Sequence, residues 1–137
     1  MSNIEYRKEN TIRKINSFKD LDCWKQAHSL VIDIYKISSD FPRSEIFGLT
    51  SQLRRASVSI TSNIAEGFGR QGYREKLQFF YLSRGSLIEL ENQILISKDV
   101  GYITDEKQYD DICDKIVRVQ QLLNGIIKST KKFLNDK

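Results

Sequence analysis

TDEKQYDDICDKIVRVQQLLNGIIKSTKKF, running from Thr104 to Phe133, decides the fold. Tyr109, Ile112, Ile116, Val119, Leu123, Ile126, Thr130 and Phe133 follow one another in alternating steps of three and four. That alternation draws a single seam along an α-helix, and it favours packing against a neighbour at a shallow angle of roughly +20°. Thr104 is expected to cap this helix, with Asp105 and Glu106 complementing the dipole in the first turn. Lys128, Lys131 and Lys132 suit its negative end.

Three more helices read outward from this one. Tyr73 to Val100 carries Leu77, Phe80, Tyr81, Leu87, Ile88, Ile94 and Leu95 as its apolar side, and Gly101 closes it. Before it, GLTSQLRRASVSITSNIAEGFGR (Gly48–Arg70) places Leu49, Leu53, Ala56, Ile60 and Ile64 on one face, with Gly67 and Gly69 expected to end the helix. The first helix is expected to start at Asp20 or Asp22 and to bear Trp24, Ala27, Val31, Ile34 and Tyr35, broadened by Leu30 and Ile37. Pro42 stops it. Four long helices with short connections predict an all-α, antiparallel up-down-up-down four-helix bundle over residues 18–137. Residues 1–17 read as a basic, loosely ordered arm.

The 137 residues suit one domain with one core. No apolar run approaches the roughly 20 residues of a membrane span, and the N-terminus lacks a signal-peptide core, so a cytoplasmic location is expected. Cys23 and Cys113 have no CxxC partner and read as reduced thiols. The net charge of +4 is unevenly spread. Residues 1–19, 48–76 and 128–137 each carry an excess of three positive charges, whereas 85–114 holds eight acids against two lysines. Such asymmetry suits either a polyanion or a self-complementary contact. In an up-down bundle the three basic segments converge at one end.

Enzyme chemistry finds no foothold. Ser57, Ser59, Thr61 and Ser62 lack an adjacent base, so nucleophilic catalysis is missing its second component. Their small volume suits the close approach of a neighbouring helix. Glu66, Glu89 and Glu91 lack the Glu-x-x-His pair of bundle metal sites, and His28 is the sole histidine. No catalytic residue, metal or cofactor is therefore expected. Arg54, Arg55, Asn63, Glu66, Arg84, Glu89 and Glu91 read instead as a structural polar network. One of Arg54 and Arg55 would pair with an acid in the bundle or across a subunit contact, and the other would be solvated.

FKDLDCWKQA (Phe18–Ala27), FPRSEIFGLTSQLRRA (Phe41–Ala56), SNIAEGFGR (Ser62–Arg70), RGSLIELENQ (Arg84–Gln93) and GYI (Gly101–Ile103) occur in that order. Together they resemble the four-helix-bundle proteins encoded in intervening sequences of bacterial 23S rRNA genes, over about Phe18 to Phe133. The resemblance implies a bundle protomer assembled into a ring-like homopentamer. It also suggests kinship with accessory proteins of diversity-generating retroelements, basic barrels that work with nucleic acid and a reverse transcriptase. Three positions depart from the pattern: Thr61 stands where relatives often carry proline, Gly72 where they carry a capping serine, and Lys76 where they carry an aromatic residue.

The resulting expectation is a non-enzymatic homo-oligomer that binds structured RNA, such as rRNA, or other nucleic acid through phosphates. Arg70, Arg74, Lys76, Lys128, Lys131 and Lys132 would make the contacts. The competing expectation is a scaffold whose ring recruits a protein, such as a reverse transcriptase, without touching nucleic acid.

Overall fold

The computed structural model describes residues 6–8 and 11–135, with side chains from residue 14 onward. Two short strands, β1 (Tyr6–Lys8) and β2 (Thr11–Arg13), pair antiparallel with Arg7 opposite Ile12. Four helices follow: α1 (Asp22–Ser38), α2 (Leu49–Gly69), α3 (Tyr73–Asp99) and α4 (Glu106–Asn135). Each packs on the next and α4 returns to α1, which closes the expected bundle. The core runs along its axis through Leu30, Ile34, Leu53, Ile60, Phe80, Leu87, Ile116 and Leu123.

Within residues 1–17 the described backbone pairs in β1 and β2, and Ile15 is fully buried in the core. Ser17 opens a 3-10 turn at Phe18–Asp20, accepting from the Lys19 amide at 3.2 Å while Asp20 accepts from the Ser17 amide at 3.1 Å. Asp20 is thus spent capping backwards, and α1 begins after buried Leu21 with no side-chain cap. Residues 1–5, 9–10 and 136–137 lie outside the described residues, and with them Glu5, Glu9, Asp136 and Lys137 of the expected charge clusters.

Other ends differ from expectation for equally local reasons. Asp105, not Thr104, caps α4 by accepting from the Gln108 amide at 3.1 Å, three residues on. At the end of α3 the Tyr102 amide reaches the Ser97 carbonyl and the Gly101 amide reaches that of Lys98, the double bond of a Schellman turn. Gly101 supplies the left-handed φ of +90° that this turn requires. Glu45 caps α2 from outside, accepting from the Leu49 amide at 3.2 Å and from the Tyr102 hydroxyl at 2.8 Å. Both bonds hold its carboxyl below the usual range, the tyrosine's first, and Glu45 in turn raises Tyr102. A Cβ on Gly48 would lie 2.6 Å from Glu45 Oε1, so glycine keeps that carboxylate in place.

α2 and α3 meet through small residues. Ser83 Oγ donates to the Ile60 carbonyl at 2.8 Å, and Ser59 and Ser86 hydroxyls bond at 2.8 Å. Gly67 does not end α2; it lies inside the helix as the floor beneath the fully buried Phe80 ring. A Cβ there would come within 2.7 Å of Phe80 Cε1 and 3.1 Å of Phe79 Cβ, neither free to retreat. Gly67→Ala should therefore cost about 1–3 kcal/mol in overpacking. The helix-propensity gain of roughly 1 kcal/mol offsets only part of it. Gly125→Ala, in α4 where nothing stands within 4 Å, should instead stabilise by up to ~1 kcal/mol. Urea midpoints of the two variants check the opposed signs.

Candidate nucleic-acid interface

The end of the bundle that carries the α2–α3 turn also carries the last turns of α4. Tyr73, at the start of α3, stacks on Phe133 near the end of α4 with centroids 5.4 Å apart and planes 12° from parallel. Phe18, just before α1, lines an open groove of about 510 Å³ together with Ser62, Ala65, Glu66, Gly69 and Arg70 of the α2 end. The arm's attachment, the α2–α3 turn and the α4 tail therefore meet.

Five of the six expected phosphate contacts are exposed at this end: Arg70, Arg74, Lys128, Lys131 and Lys132. Arg74, Lys128 and Lys132 have no side-chain partner among the described residues. Lys131 lies 5.6 Å above the Tyr81 ring, and Arg84 covers the same ring at 5.2 Å. Arg70 lies over Phe79 at 4.8 Å and pairs with Glu66 at 3.2 Å, both partners about half exposed. Such an i,i+4 pair is worth only about 0.3–0.5 kcal/mol, so it holds Arg70 weakly.

The sixth, Lys76, is a correction. It is 1% exposed and cannot reach a phosphate. Its ammonium donates to the Phe68 carbonyl at 2.7 Å, which the end of α2 leaves open, and weakly at 3.4 Å to that of Gly67, which also accepts from the Arg70 amide. Burial lowers its pKa, because the charged form gives up hydration. Its aliphatic stem fills space beside Phe68, whose ring lies 5.5 Å from the nitrogen.

The expected polar network of seven residues resolves into separate local contacts. Arg54 pairs with no acid among the described residues; its Nε donates to Ser38 Oγ at 2.9 Å and its guanidinium covers the Tyr35 ring at 4.7 Å, where it also suits the negative end of α1. Arg55 is exposed, as is Glu91, and neither has a side-chain partner among the described residues. Asn63 donates to the Ser59 carbonyl at 2.8 Å, Arg84 to Asn124 at 3.1 Å, and Glu89 accepts from Gln93 at 3.1 Å. Glu66 is bound to Arg70 on the surface, not buried against Arg55 or Arg84.

Nothing here assembles for catalysis among the described residues. Ser57 and Thr61 hydroxyls donate to carbonyls of their own helix, and His28 stacks on Trp24 at 4.7 Å. Burial pushes the Cys23 thiol up to about 12, far from a reactive thiolate. No three of His, Cys, Asp and Glu gather as a metal would require among these residues, and no helix is long and apolar enough to cross a membrane. Sequence reading missed the ion pair of Lys115 with Asp33, supported by Ser29 at 2.7 Å from the ammonium, which ties α4 to α1. It also missed the Glu45–Tyr102 clasp, since both join segments far apart in sequence.

A sequence profile of the 23S rRNA-intervening sequence proteins matches residues 19–125. The chain belongs to this family. A solved structure of a protein of unknown function from the S23 ribosomal protein family of Bacteroides thetaiotaomicron superposes with a TM-score of 0.70. It is 21% identical, and the match covers 77% of this chain and 95% of that one, so the likeness carries the fold alone. No curated protein matches the chain. Against the 23S rRNA-intervening sequence pattern the departures now have places. α3 starts at Tyr73 although Gly72 offers no side-chain cap, and Lys76 occupies a buried position that an aromatic ring would also fill.

Proposed function

We propose that this 23S rRNA-intervening sequence protein is a cytoplasmic, non-enzymatic homo-oligomer that binds structured RNA at its basic end through backbone phosphates. The observation that carries the reading is the meeting of two basic segments at the end where the basic arm attaches, with Arg74, Lys128 and Lys132 unpaired among the described residues. Lysines scattered over a soluble surface need no partner, but free cations gathered from distant segments make a polyanion footprint. Such contacts position a nucleic acid without reading its sequence.

Assembly is supported by a second face. Tyr81, Ile88 and Leu95 repeat every seven residues along α3 at 37%, 55% and 48% exposure, with Gly85 and Asn92 between them. That spacing is a helix-packing seam, covered at Tyr81 by Arg84 and Lys131 and left exposed at Ile88 and Leu95. A ring built on it would present several basic ends together and multiply weak contacts into avidity.

Fluorescence anisotropy of a labelled rRNA hairpin, titrated at low and physiological salt with oligomer mass measured on the same sample, tests the reading. Affinity of the oligomer should fall steeply as salt rises. Absence of binding at low salt would overturn it in favour of the protein-recruiting scaffold. That second reading is favoured by Phe47, 93% exposed at the opposite, acidic end beside the Glu45–Tyr102 clasp.

A further inference from the structure

We infer that the groove between Phe18 and Arg70 is a pocket for one unpaired nucleotide of the bound RNA, its base against Phe18 and its phosphate on Arg70. This rests on the RNA reading above and deepens it from phosphate contact to recognition of an extruded base.

The groove holds about 510 Å³, within the range of roughly 300–1,000 Å³ in which small ligands are held. Its aromatic wall is fixed. Phe18 meets Trp24 edge-on with centroids 5.3 Å apart, and Trp24 is backed by the stacked His28. A held ring offers a face to any base at little entropic cost. Arg70 also lines the groove, its guanidinium lying over Phe79 and paired with Glu66, and its planar fork matches phosphate oxygens. Gly69 contributes no side chain, and a Cβ built there meets nothing within 4 Å, so the floor is open. The Ser62 hydroxyl has no hydrogen-bond partner among the described residues.

Glu66 selects the class of ligand. A carboxylate beside the arginine disfavours bare phosphate, which is anionic on every side. A nucleotide brings donors as well as the anion: the ribose 2′-hydroxyl and exocyclic base amines both suit a carboxylate acceptor. Cation, acceptor and aromatic wall together fit a ribonucleotide better than an inorganic anion or an apolar side chain. The groove also lies at the basic end, within reach of RNA held by Arg74 and the α4 lysines.

Two hairpins decide the matter, identical except that one carries a single extruded adenosine and the other an abasic site at that position. The protein should bind the first about tenfold more tightly, as one base–aromatic stack allows. Because the chain has one tryptophan and it touches Phe18, Trp24 emission should change only with the adenosine hairpin. Gly69→Leu adds a side chain to the groove lining at a position where a Cβ meets nothing within 4 Å, and should abolish the preference and the emission change while keeping salt-sensitive binding of both hairpins. Equal affinity of the wild type for the two hairpins, or an undiminished preference in Gly69→Leu, would overturn the pocket and leave the RNA reading standing. Failure of both hairpins to bind at low salt would overturn the two together.

Discussion

Lys76→Ala should destabilise the protein by about 2–4 kcal/mol. Three buried methylenes are lost at about 0.8 kcal/mol each. The Phe68 carbonyl, left without its donor in a closed site, adds roughly 1–3 kcal/mol. Relief of the buried ammonium's desolvation returns part of that sum. Lys76→Met, which keeps the stem and loses only the donor and charge, should cost about 1–2 kcal/mol on the same reasoning. Urea unfolding measures both, and equal losses would show that the stem's packing contributes nothing. The pH dependence has a definite sign. Burial lowers the folded pKa of Lys76 from 10.5. Between that lowered value and 10.5 the unfolded chain holds a proton that the folded chain has released, so stability gains with rising pH in that window. The gain should be present in wild type relative to Lys76→Met. RNA affinity of Lys76→Met should match wild type, since the ammonium never reaches the surface.

The burial of Lys76 was written in the sequence in a form that hydrophobicity conceals. Lys76, Phe80, Ser83, Leu87, Leu90, Ile94 and Ser97 follow one another in steps of four and three, and all are buried. That is the same alternation that made α4 legible, where Ile112, Ile116, Val119, Leu123, Ile126 and Thr130 are all buried. In α4 the seam is almost wholly apolar and the opposite face polar, so period and composition agree. In α3 two serines and a lysine interrupt the seam, while Tyr81, Ile88 and Leu95 place apolar residues on the outer face. Reading by hydrophobicity merged the two faces, assigned the outer stripe to the core and sent the seam's lysine to solvent. The caps fail for a simpler reason: Thr104 and Asp105, or Asp20 and Asp22, offer equivalent acceptors one or two residues apart, and only backbone geometry chooses. The site was legible as a convergence of charge, because helix connectivity alone decides which ends share a side. Its groove was not, since Phe18 and Arg70 are more than fifty residues apart and the motifs that hold them, Phe18–Ala27 and Ser62–Arg70, do not say that they meet.

Reversing Arg70, Arg74, Lys131 and Lys132 to glutamate should remove RNA binding while leaving the oligomer intact. If these four each neutralise one phosphate, affinity scales with salt to a power of about −3.6. A fourfold rise in salt, from about 50 to 200 mM, would then weaken wild type roughly a hundredfold. The variant should show neither that affinity nor that slope. Folding should be little disturbed, because all four side chains are exposed and surface changes of this kind usually stay within about 0.5 kcal/mol each. Net charge alone also repels RNA after so large a change, and a matched control separates the two causes. Lys36, Arg43, Lys107 and Arg118 are also exposed and outside the three basic segments, and reversing them alters total charge by the same amount. Long-range repulsion is screened beyond about 10 Å at 0.1 M salt. The control should therefore keep most of its affinity there and retain the wild-type slope, whereas the end-face variant loses both. Equal losses in the two variants would mean that RNA senses overall charge and that the convergent end is no interface.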